Sequence, residues 1–104
     1  MIADPATVVL TAHVAHWADQ HPTRTAWIID CLHRHNNGDW GELDPDDRAT
    51  NNYAIRHGDG RILSRYPIPT ELADPTIDDD AIWIVTDDLA DPDTLTTILW
   101  PSDY

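Results

Sequence analysis

Lysine is absent from this chain, and cysteine occurs once. The single thiol, Cys31, has no internal partner for a disulfide, which fits a reducing cytoplasm. No apolar run approaches the length of a membrane span, and "MIADPATVVL" lacks the basic start of a secretory signal. No repeat and no low-complexity segment interrupts the chain. With 104 residues, 41% of them hydrophobic, it is long enough for a single domain (1–104) and too apolar for a disordered acidic tail.

Positive charge is the scarcest commodity. Six arginines face 19 acids, for a net charge of −13. Residues 1–36 carry −1, residues 37–70 carry −2, and residues 71–104 carry −10 with no base at all. Salt adaptation or plain solubility is the simplest reading of such acidity. Salt-adapted proteins spread their acids over every surface, so the asymmetry weakens that reading and leaves it beside a binding role. Such a field repels nucleic acid and anionic lipid, and it attracts basic protein surfaces.

The pattern of apolar residues predicts an α+β fold. "TVVLT" (7–11) reads as a short strand, followed by a helix with Val14, Trp17 and Ala18 inward. Pro22 opens a second helix whose stripe is Trp27, Ile28, Cys31, Leu32 and His35; Asn37 and Gly38 end it. The loop "GDWGELDPDD" then begins a third helix over 45–57. Asp44 is its N-cap, Pro45 its first residue, Asp46 and Asp47 suit the dipole, and Gly58 closes it. Strands follow at 61–66, 81–86 and 95–100, the last two forming an antiparallel hairpin. The expected architecture is a mostly antiparallel sheet of three or four strands, with two or three helices on one face.

Several residues are assigned structural work at this stage. Trp40 is a plug where the second and third helices meet, with Gly38 and Gly41 turning the chain around it. Asp39 belongs to the same loop. Asn51, a middling helix former, points to a side-chain bond to the "GDWG" backbone. Arg61 is expected to pair with an aspartate.

Around these motifs the chain resembles a group of small bacterial proteins carried on plasmids and other mobile elements. The shared pattern runs GDWG, D-[KR]-x-x-N-x-x-A-[LI], R-[IL]-L-S-x-Y, [IV]-W-I-[IV]-T-[ED] and T-T-[IV]-L-x-P-x-[ED]-Y. It spans about residues 32–104. It places Asp47, Arg48, Asn51, Ala54, Ile55, Arg61, Ser64, Tyr66, Trp83, Thr97 and Tyr104 on matching positions. The chain departs from the pattern in its long acidic turns before and after the Trp83 strand, where the extra charge sits. Members often carry the label type I restriction enzyme M subunit. Nothing here supports methyl transfer: the chain is too short for that domain and has neither a Gly-rich cofactor loop nor an N-P-P-[FY] motif.

Catalytic signals are weak. His13 with His16, and Cys31 with His35, share helix faces, but zinc needs three or four convergent ligands. The acids show no calcium-loop spacing, and Ser64 has no general base near it in sequence. Neither metal nor cofactor is expected, nor a catalytic residue. The reading is of a non-enzymatic inhibitor of a bacterial defence system, a CRISPR effector or restriction enzyme, that occupies a basic nucleic-acid-binding surface. Its contact residues are Asp78, Asp79, Asp80 and Asp103 at one end of the hairpin, Asp87, Asp88, Asp91 and Asp93 at the other, and Trp83 between them. The two clusters would lie along one edge of the sheet. The protein itself would touch neither nucleic acid nor membrane, and would be a monomer or homodimer. Two other readings stand beside this one: a small enzyme or metal-dependent regulator centred on "GDWG" and the histidines, and an accessory protein without a defence role.

Overall fold

The computed structural model describes residues 7–104. In chain order it contains β1 (Val8–Leu10), α1 (Ala12–Asp19), α2 (Pro22–Asn36), α3 (Pro45–His57), β2 (Ile62–Pro67), β3 (Ala81–Thr86) and β4 (Thr96–Leu99). Short 3-10 turns occupy Thr70–Leu72 and Pro101–Asp103. The fold is α+β around a four-stranded sheet of order β1-β4-β3-β2. Both β2–β3 and β3–β4 are antiparallel, as expected of the hairpin, but β1 joins β4 in parallel, so the sheet is mixed.

Capping follows local chemistry. Thr11 caps α1 by accepting the Val14 N–H, and Asp44 caps α3 by accepting the Asp47 N–H at 2.9 Å. Pro22 and Pro45 each open a helix where an N–H would have no partner. Gly38 and Gly58 follow α2 and α3 in the left-handed region, as the sequence suggested.

One face of the sheet carries the main core. Tyr66, Ile82, Ile84 and Ile98 project from it onto Val14, Trp17 and Ala18 of α1 and Ile28 and Cys31 of α2. Trp100 closes that core with an edge-on contact to Trp17, ring centroids 5.3 Å apart. On the opposite face Leu63, Val85 and Leu99 form a thinner layer, covered by Leu43 and Trp83. The alternation of Ile82 and Ile84 against Trp83 and Val85 places them on opposite faces, as the sequence implied.

The third helix departs from the expected single helical layer. It lies against the edge of the sheet, where Ala54 packs on Trp40 and Ile62. Trp40 is a plug, but its neighbours are α3 and the start of β2. Asn51 explains the placement. Its side-chain amide donates to Leu63 O at 2.7 Å, and its carbonyl accepts the Leu63 N–H at 3.0 Å. It therefore bonds the outer edge of β2 and not the "GDWG" backbone. The loop seals the next stretch of that edge itself: Arg65 N–H donates to Trp40 O, and Glu42 N–H donates to Arg65 O. Gly41 makes this approach possible, because a Cβ there would stand 2.0 Å from Arg65 O. Among the described residues no helix is long and apolar enough to cross a membrane.

Candidate functional site

The hairpin register fixes where the acids go. Thr86 pairs with Thr96, and Asp87 N–H donates to Leu95 O, so residues 87–95 form a loop at one end of β3 and β4. The 74–80 segment enters β3 at the other end. Ser102 bonds both carboxylate oxygens of Asp79, through its N–H at 3.2 Å and its hydroxyl at 2.6 Å, which brings the C-terminal turn to that end as well. Because β3 and β4 are interior strands, the two clusters sit at the ends of the sheet's centre and not along its edge. Six residues of β3 separate them by about 20 Å.

The acids differ in how free they are. Asp78, Asp87, Asp91 and Asp93 are exposed. Asp80 is exposed too and meets Arg65 at 3.3 Å, while Glu42 meets the other arm of that guanidinium at 3.5 Å. Asp88 folds its own loop: its carboxylate accepts the N–H groups of Ala90 and Gly60, which hold it below the usual carboxylate range. Asp91 likewise accepts the Asp93 N–H.

Asp103 belongs to the fold more than to the surface. Its carboxylate accepts from the Thr11 hydroxyl at 2.9 Å and the Trp100 N–H at 3.2 Å, and it pairs with His13 Nδ1 at 2.7 Å. Burial acts to raise its pKa, but these hydrogen bonds outweigh it and the carboxyl is held low. It ties the end of the chain to the start of α1.

The six arginines are largely committed elsewhere. Arg24 is buried against the Trp17 ring and donates to Trp17 O, Leu72 O and the Gln20 carbonyl. Arg34 forks onto Asp39 at 2.8 and 3.2 Å, and this bond chiefly holds the Asp39 carboxyl low. Arg48 donates to Gly41 O and Leu43 O. Arg61 donates to the Tyr104 hydroxyl and stands over its ring, so its partner is an aromatic and not the expected aspartate. Tyr104 in turn stacks edge-on against Trp83, centroids 5.4 Å apart. Trp83 is thus half covered, with its indole N–H buried and unpaired.

A cavity of about 370 Å3 opens between α1 and the 74–80 loop. Ile77 and Trp100 give it apolar wall, Asp78 and Asp79 line one side, and His13 and His16 the other.

The remaining candidates for chemistry are engaged in the core. His35, fully buried, bridges Ser64 through Nδ1 at 2.5 Å and Thr86 through Nε2 at 2.9 Å; Thr86 continues to Thr96 at 2.8 Å. Sequence reading placed His35 on the apolar stripe of α2 but missed its partners, which lie 29 and 51 residues away. Burial pushes the Cys31 thiol up to about 12, which suppresses its thiolate. Among the described residues no three His, Cys, Asp or Glu side chains converge as a metal cage would require. The chain matches no family model, no curated protein and no solved structure.

Proposed function

We propose that this chain is a non-enzymatic, acidic binding protein of mobile-element origin, acting in the cytoplasm. It inhibits a bacterial defence complex, a CRISPR effector or restriction enzyme, by occupying its basic nucleic-acid-binding surface. The observation that carries this reading is the unneutralised charge of residues 71–104, −10 with no base, gathered at the two ends of the β3–β4 hairpin. Arg24, Arg34, Arg48 and Arg61 are bonded elsewhere in the fold, and among the described residues Arg65 alone is paired with an acid of this segment, Asp80. The cavity beside Asp78 and Asp79 suits an incoming lysine or arginine, with apolar wall for its stem and carboxylates for its head. The motif resemblance to plasmid-borne proteins supports the defence context.

The test uses purified CRISPR effector and type I restriction complexes in nuclease assays with and without the protein. Inhibition of one of them should weaken steeply from 0.1 to 0.5 M salt, where the Debye length falls well below 10 Å. Replacing Asp78, Asp79 and Asp80 by Asn, or Asp87, Asp88, Asp91 and Asp93 by Asn, removes the charge while keeping one acceptor oxygen on each side chain, and should slow association at least tenfold. Inhibition that survives neutralisation of both clusters sinks the charge-decoy reading and shifts attention to Trp83.

A further inference from the structure

The two edges of the sheet are treated differently. At β2 the chain uses Asn51 and the backbone of residues 40–42 to satisfy every second residue of the edge. At β1 no such cover exists among the described residues. Thr11 N–H donates to Ile98 O, so by the alternation of a parallel ladder Val9 faces β4, while the backbone groups of Val8 and Leu10 face outward. Among the described residues nothing pairs with them. Common protections of an open edge, a proline, a bulge or an inward charge, are absent from "VVL".

The surroundings of that edge are apolar and uncharged. Val9 is 42% exposed, Leu10 40% and Ile29 of α2 48%. A groove of about 260 Å3 runs between β1 and α2, lined by Val8, Leu10, Ile28, Ile29 and Leu32 among others, with no charged residue in its wall. In a chain of net charge −13 this is the neutral side, since residues 1–36 carry only −1. A basic partner has no reason to choose it. A surface that is itself apolar, uncharged and open-edged does.

We propose that the occupant is a second copy of this chain, joined β1 to β1 in antiparallel fashion across a two-fold axis at Val9. This interface is separate from the acidic surface proposed to meet the target. The register follows from which groups are free. Val8 of one copy exchanges both backbone bonds with Leu10 of the other, giving about four ladder bonds. Val9 meets its own symmetry mate in the close, non-hydrogen-bonded position, with Cβ atoms about 5 Å apart. Leu10 and Ile29 of the two copies close over the groove. The 87–95 loop enters β4, the strand beside β1, and Asp103 is bonded to Thr11, so acidic groups of the two copies flank the seam and repel across it at low salt.

Sedimentation equilibrium of the full chain from 1 to 200 µM tests this. A reversible dimer is expected, tightening as salt rises because screening relieves repulsion between two acidic bodies. That is opposite to the salt dependence expected for the target. Val9→Asp sets two carboxylates against each other and should weaken the dimer at least tenfold, with the fold retained by circular dichroism since Val9 lies outside the core clusters. Val9→Cys should form an interchain disulfide under mild oxidation; the native Cys31 is buried and does not compete. A protein that stays monomeric at 200 µM overturns the proposal. So does a dimer that Val9→Asp leaves intact and Val9→Cys fails to lock. Each outcome leaves the target-binding reading standing or falling by its own nuclease assay.

Discussion

At His35 a single proton sets an acid limit on the fold. The ring is buried among hydroxyls with no carboxylate to balance a charge, and burial lowers its pKa from 6.5 to about 4. The unfolded chain therefore takes up this proton first as pH falls. Stability is complete above pH 6.5 and declines between 6.5 and about 4, by about 3 kcal/mol in all. Urea melts at pH 7, 5.5 and 4.5 should show this slope in the native chain, and a His35→Gln variant should lose it. A flat native profile across that window would refute the assignment. Asn51 works at the same scale. Asn51→Ala strands the Leu63 N–H and C=O, both deprived of their partner in a buried place, and should cost about 3 kcal/mol. Equal melting of the two proteins would mean that water replaces the amide.

Helix α3 shows how one element can be short of apolar surface and still hold its place. Its buried residues are Asn51 and Ala54, so caps and one amide bridge do much of the work that an apolar stripe does in α2. Asp44→Ala should accordingly cost about 1 kcal/mol, and Asp44→Ser should restore most of it, read by thermal melts. The cap was legible in "LDPDD", because capping chemistry is local. The edge position of α3 was not, because Leu63 lies 12 residues beyond Asn51 and only the folded sheet brings its backbone within reach. The same limit applied to Arg61: its aromatic partner Tyr104 lies 43 residues on, and no local pattern marks the pair.

As a whole, the molecule holds its charge at a cost. Two acidic loops at the ends of one hairpin repel within and between themselves, and Asp80 alone among their acids is paired with an arginine, Arg65. Salt should therefore raise the melting temperature between 0.05 and 0.5 M NaCl, and the rise should shrink when Asp87, Asp88, Asp91 and Asp93 become Asn. An undiminished rise in that variant would place the repulsion elsewhere. The concentration of this charge in a surface loop region, at the expense of fold stability, is what the proposed contact with a basic target would account for.

The order of elements, the helix boundaries near Pro22, Pro45, Gly38 and Gly58, the strand at 81–86 and the charge asymmetry were all determined by the sequence itself. These depend on caps, periodicity and composition, which act over a few residues or over none. Tertiary structure decided the rest. It made β1 a parallel edge strand beside β4, moved the acidic clusters from an edge to the ends of interior strands, and drew Asp103 inward to Thr11 and His13. It also sealed the β2 edge and, among the described residues, left the β1 edge without a backbone partner. Those outcomes hinge on backbone groups finding partners dozens of residues away, and a side chain's chemistry names what it can bond but not who will be standing there when the sheet closes.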